Sequence, residues 1–144
     1  MAAQEAIKLS ILSPERRLVE GISVEEVTLP GSEGQIQILA GHAPIVGTLE
    51  TGIFSYRHGN GQTVSGVVSA GFFEVKDDSV TLMAEQLVLK EEIDIDQARR
   101  MQKEAEDALK GAALDEHAFK KYQAELESSL VQQQLAGREH PHGH

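Results

Sequence analysis

The chain has 144 residues, 40% of them hydrophobic and 25% charged, with no cysteine, no tryptophan and a formal net charge of −10. That length suits one domain with an appendage rather than two full domains, and the absence of cysteine excludes a disulfide framework, thiol chemistry and cysteine metal sites. The acidity argues against nucleic acid and against direct docking on anionic lipid, and both parts share it: residues 1–86 carry 5 basic and 11 acidic side chains, residues 87–144 carry 8 and 12.

Taken in order, the first part reads as strand after strand. No basic region with an apolar core opens the chain, so no secretory signal is expected, and no apolar run reaches the roughly 18 to 20 residues that cross a bilayer. Ile7, Leu9 and Ile11 alternate with Lys8 and Ser10, the period of a strand with one buried face. Ser13-Pro14 turns the chain, and Leu18-Val19 reads as a short edge strand ending at Gly21. Val27 and Leu29 form the next strand, stopped by Pro30, because proline removes a backbone donor.

Gly31 to Pro44 then reads GSEGQIQILAGHAP. Two turn clusters flank an alternating segment in which Ile36 and Ile38 share one face and Gln35 and Gln37 the other. Composition alone reads both clusters as ordinary turns; their glycines give them fixed shapes. Ile53 to His58 follows with Phe54 and Tyr56 on one face, and Asn60-Gly61 marks a hairpin before Val64 to Ala70. In Phe72-Phe73 the adjacent rings of a strand point to opposite faces, so one enters the core and the other meets a neighbour. Asp77-Asp78 turns into the strand of Val80 and Leu82.

The periodicity changes after Leu89. Asp94 and Asp96 are both helix-start residues, with carboxylates near the positive end of a helix dipole. Ile95, Ala98, Met101, Ala105, Ala108 and Leu109 recur at helical spacing, and Gly111 ends the run. A second helix starts at or beside Asp115, with Phe119, Tyr122, Leu126 and Leu130 as its stripe. Glu106–Lys110 and Glu116–Lys120 are spaced as ion pairs one helical turn apart. The expected fold is α+β: an N-terminal antiparallel β-sandwich over residues 1–88, a C-terminal antiparallel two-helix hairpin over 89–139, and a disordered histidine-rich tail over 140–144.

Catalytic patterns are missing. No histidine pair has helical metal-site spacing, there is no phosphate-binding glycine loop and no nucleophile elbow. Adjacent carboxylates such as Glu25-Glu26 and Glu91-Glu92 would point to opposite faces of a strand, a poor geometry for shared acid–base work. The expectation is a noncatalytic protein without a metal. Aromatic content of only 4% also leaves few stacking platforms for a carbohydrate site.

The order of parts, with GSEG, a short strand and GHAP, then Leu49-Glu50-Thr51-Gly52-Ile53, Ser69 to Val75 and Asp78 to Glu85, resembles the epsilon subunit of bacterial F-type ATP synthases. The likeness extends through Leu109; beyond residue 115 only helical character matches. The resemblance implies a noncatalytic rotor subunit that couples gamma to the c-ring and regulates ATP hydrolysis through its helices. It implies one copy per complex at the cytoplasmic face of the cell membrane, reaching the catalytic alpha and beta subunits when the hairpin extends. By the same resemblance, the loops bearing Ser32, Glu33, Gln35, His42 and Ala43 face the c-ring, and Phe72 or Phe73 faces gamma. The alternative is a β-sandwich interaction module with a helical tail and no part in ATP synthesis.

Some members of the family hold ATP between sandwich and hairpin, with a signature of Ile or Leu, Asp, two variable residues, Arg, Ala. Here Ile95 to Arg100 keeps Asp96 and Arg99 and replaces the closing alanine with Arg100. Lys120 and Lys121 are the second helix's main cations for closing such a site or for regulatory contacts. From Asp115 to Glu139 three basic residues face five acidic ones, so attraction to an acidic partner is weak. The expectation is ATP as a weak regulatory ligand at most, and otherwise no cofactor.

Overall fold

The computed structural model describes residues 6–111 and 113–138; the expectation for the tail at 140–144 falls outside them. Ten strands come first: β1 (Ile7–Leu12), β2 (Arg17–Val24), β3 (Glu26–Gly31), β4 (Gly34–Leu39), β5 (Ile45–Leu49), β6 (Gly52–Arg57), β7 (Thr63–Val68), β8 (Gly71–Lys76), β9 (Ser79–Ala84) and β10 (Leu87–Leu89). A single 3₁₀ turn (Lys90–Glu92) leads to helices α1 (Ile95–Lys110) and α2 (Glu116–Ala136).

The strands are ordered β10-β7-β6-β3-β5-β8-β9-β1-β2, with β4 on the other flank of β3. β3 and β5 share only the Gly31–Leu49 pairing. That corner divides the strands into one layer of β10, β7, β6, β3 and β4 and a second of β5, β8, β9, β1 and β2. Period-two alternation fills the space between the layers: Ile7, Leu9, Ile11, Leu29, Phe54 and Leu82 are fully buried, and Ile38 and Phe73 nearly so. Each such side chain contributes about 1.5–3 kcal/mol through area removed from water. All pairings are antiparallel except β1 with β9, which is parallel. The first strand thereby meets the last long strand of the sandwich.

β2 does not stop at Gly21. Between the pairings Leu9–Ile22 and Ile11–Val19, two residues of β2 oppose one of β1. Gly21 adopts φ +62° there and donates its N–H to Ser10 Oγ at 2.9 Å. A glycine in the left-handed region at a bulge bends a strand without ending it.

The helix caps follow the sequence. Asp94 accepts the Gln97 N–H at 3.1 Å and Asp115 the Ala118 N–H at 2.7 Å, while Asp96 sits in the first turn of α1. The expected stripe on α2 is not its buried face: Phe119 and Leu130 are each 46% exposed, and the buried positions are Ser128, Ser129 and Leu135. Small hydroxyl residues let α2 lie close on β6 and β7, where it covers Val67 on the outer surface of the first layer. Of the two expected ion pairs, Glu116–Lys120 forms at 3.1 Å. Glu106 instead accepts from Gln102 at 3.1 Å, while Lys103 pairs with Asp107 at 3.4 Å.

Candidate docking surfaces

The outer surface of the second layer exposes large apolar side chains. β8 pairs with β5 and β9 so that Phe72 lies opposite Thr48 on one side and Met83 on the other. Val46 projects on the same face, diagonal to Phe72. Phe72 is 54%, Met83 41% and Val46 72% exposed. Phe72 and Met83 lie side by side, and Val46 stands diagonal to Phe72 at about 7–8 Å, with Thr48 and Glu74 on the same face. Beside it an open apolar cleft of about 390 Å³ runs past Ser13, Pro14, Phe72 and Met83. Gly71 makes the strand approach possible: a Cβ there would sit 2.0 Å from the Met83 carbonyl oxygen. Phe73, by contrast, is 2% exposed within the core and cannot face a partner. Of the two gamma-facing candidates only Phe72 remains.

The loop candidates do not form one surface. Ser32 and Glu33 make the two-residue turn joining β3 to β4, held where the Ser32 N–H donates to the Thr48 carbonyl at 3.0 Å and its hydroxyl meets Thr48 again. Gln35 is exposed beside that turn, opposite Pro30. His42 and Ala43 lie past the other end of β4, and a six-residue strand is about 20 Å long. Their loop is tied to the β8–β9 turn by Gly41 N–H donating to Asp78 Oδ1 at 2.7 Å. His42 Nδ1 lies 2.8 Å from the Ala43 carbonyl oxygen, an internal contact rather than an outward one.

The residues of the nucleotide signature are also spread out. Asp96 and Arg99 pair weakly at 3.9 Å on the exposed side of α1, and Arg100 is exposed beside them. Lys120 and Lys121 line a different place, a cleft of about 530 Å³ with Ser69, Glu85, His117 and Glu125. Gln133 donates to Gln102 at 2.7 Å across the hairpin, which fixes the antiparallel register. Counting about 1.5 Å per residue from that contact puts Lys120 roughly 24 Å along the axis from Arg99. Lys120 and Lys121 therefore cannot close a site on Asp96 and Arg99 in this arrangement.

Two groups have displaced pKa values. Hydrogen bonds from Arg16, then from the Leu89 N–H, hold the Glu92 carboxyl below the usual carboxylate range. Burial, then the nearby Glu91 charge, pushes the Tyr56 hydroxyl up. Neither lies in a catalytic constellation, and no cluster of three metal-ligating side chains occurs among the described residues. Nothing local in the sequence marks Val46 and Met83 as site residues, although folding the chain about Asp77-Asp78 places residue 83 opposite residue 72. Arg16 and Glu92 carried no local signal, being 76 residues apart.

Residues 6–90 match the family model for the β-sandwich domain of the ATP synthase delta/epsilon chain. The chain belongs to that family. The ATP synthase epsilon chain of Trichlorobacter lovleyi is 37% identical across 93% of this chain and 96% of its own length. That of Geobacter metallireducens is 35% identical with the same coverage. Among solved structures, a chain of the Euglena gracilis mitochondrial ATP synthase, in its OSCP/F1/c-ring assembly, aligns with a TM-score of 0.74 and 26% identity over 90% of this chain and 81% of its own. A chain of the Tetrahymena thermophila mitochondrial central stalk and c-ring shares the fold, with a TM-score of 0.64 and 11% identity over 94% of this chain and 99% of its own. As an epsilon-type chain this protein is a noncatalytic stalk subunit of ATP synthase, which displaces the reading as an unrelated interaction module. No helix among the described residues is long and apolar enough to cross a membrane.

Proposed function

We propose that this chain is a rotor subunit that joins gamma to the c-ring through its sandwich and tempers ATP hydrolysis through its hairpin. The reading rests on the exposed cluster of Phe72 and Met83, with Val46 diagonal to it, on a chain of formal net charge −10. Such a patch marks a protein contact, and family membership makes gamma its partner. The rigid, polar Ser32–Glu33 turn with Gln35 then meets the c-ring, and the His42–Ala43 loop at the opposite end does not. The chain sits as one copy per complex at the cytoplasmic face of the bacterial membrane, peripheral and held there by the ring.

The hairpin is the mobile part. Alanines dominate the buried face of α1 and serines that of α2, and small side chains bury little area for each contact. Extended, the hairpin reaches alpha and beta, and its acidic excess makes the resulting inhibition modest. ATP binds weakly or not at all at cellular concentration, since the cations of the two helices stand apart.

Replacing Phe72 with Asp tests the docking face. Loss of a central aromatic anchor costs about 2 kcal/mol or more, so affinity for gamma is expected to fall roughly thirtyfold. Unchanged affinity in a folded variant would remove Phe72 from the interface.

A further inference from the structure

The 3₁₀ turn Lys90–Glu92 stands between the sandwich and the helices and is gripped from two directions. From the sandwich side, the β1–β2 loop sends Arg16 across: its Nη1 donates to Glu92 Oε1 at 3.1 Å and its Nη2 to Glu92 Oε2 at 3.3 Å. Paired parallel bonds of this kind fix orientation as well as distance. Glu92 Oε1 also accepts the Leu89 N–H at 2.9 Å, which holds the turn to the end of β10. From the helix side, Lys90 Nζ donates to the Arg138 carbonyl at 3.0 Å, just past the end of α2. That helix has no basic residue in its last turn. Its negative end is therefore met by a cation from the linker, where a positive charge is favoured. α2 packs on the same turn.

We infer that this turn is a two-sided clamp that sets how readily the hairpin leaves the sandwich. Arg16 and Glu92 hold the turn to the sandwich, and Lys90 holds the end of α2 to the turn. The two grips act in series, so loss of either loosens α2. With Glu92 fixed, the chain pivots after it, at Ile93 and Asp94, where the extended backbone breaks from the turn into α1. The clamp rests on the reading of the hairpin as mobile and adds, to the packing of α2 on β6 and β7, polar contacts that tune the motion. The Arg16 and Glu92 side chains are 38% and 39% exposed, so added salt reaches the pair and weakens it.

Hydrogen exchange of the full chain, resolved by segment, tests this. Glu92→Gln and Lys90→Met are each expected to speed exchange in α2 by about threefold to tenfold, the loss of a partly exposed charge-assisted contact. Exchange in β8 and β9 stays unchanged. The double variant matches the faster single one, because the grips are in series. The reversed pair Arg16→Glu with Glu92→Arg returns α2 toward the wild-type rate, and Arg17→Gln, which breaks an exposed pair elsewhere, leaves it alone. Rising salt speeds α2 in the wild type and not in Glu92→Gln. Exchange in α2 that is independent of the sandwich yet identical in all variants would overturn the clamp and spare the mobile hairpin. Exchange in α2 only at the rate of global unfolding would overturn the mobile hairpin and the clamp with it.

Discussion

Glu92 and Tyr56 give opposite pH signatures. Arg16 and the Leu89 N–H favour the charged carboxylate of Glu92 in the folded protein, lowering its pKa. The folded state then binds that proton less readily than the unfolded chain. Glu92's contribution to stability is thus present above the unfolded pKa and is lost as pH falls through the folded one. Burial favours the neutral phenol of Tyr56 and raises its pKa. That contribution is complete below the unfolded value of about 10 and is lost as pH climbs through the folded one. Urea midpoints across pH should therefore show a shallower acid-side decline in Glu92→Gln and a shallower alkaline decline in Tyr56→Phe. A wild-type acid slope in Glu92→Gln would contradict the assignment. At this scale sequence carries little: nothing local marks Glu92, because its partner arrives from a distant loop. Phe72 and Phe73 were legible as one inward and one outward ring, since strand alternation is local, but which was which depended on register.

Among the elements, the strands with one buried face were plain. Ile7, Leu9 and Ile11 alternate because the pleat sends every second side chain into the core. β2 runs past Gly21 where the sequence suggests a stop, because a glycine looks the same whether it ends a strand or bulges it. The buried face of α2 differs from the expected stripe for a physical reason as well: helical spacing locates an apolar stripe, but α2 approaches the sheet through Ser128 and Ser129 and leaves Phe119 and Leu130 outside. The same antiparallel register keeps the two sets of polar side chains apart. Asp96 and Arg99 lie near the start of α1, while Lys120 and Lys121 lie near the start of α2, at the far end of the pair. Titration of the chain with Mg-ATP and with ATP alone is expected to give little or no heat. A dissociation constant well below about 1 mM, roughly 4 kcal/mol of binding free energy, abolished by Arg99→Ala, would show that the helices rearrange to make a site.

For the whole molecule, the division of labour follows from where the apolar area lies. The sandwich holds one continuous core from Ile7 to Leu87, and the Phe72 patch belongs to the layer that the helices leave uncovered. The helices rest on the other layer through α2. Under the proposed function, anchoring and regulation fall on opposite faces, and removing one should spare the other. The informative cut falls after Glu92, which keeps β10 and the Arg16–Glu92 pair. The chain ending there is compared with the full chain for binding to gamma and for suppression of ATP hydrolysis in the assembled enzyme. Affinity for gamma is expected within about threefold of the full chain, a difference under about 1 kcal/mol, together with a modest rise in hydrolysis. Loss of gamma binding by a truncated chain that retains its folded sandwich would contradict that division of labour.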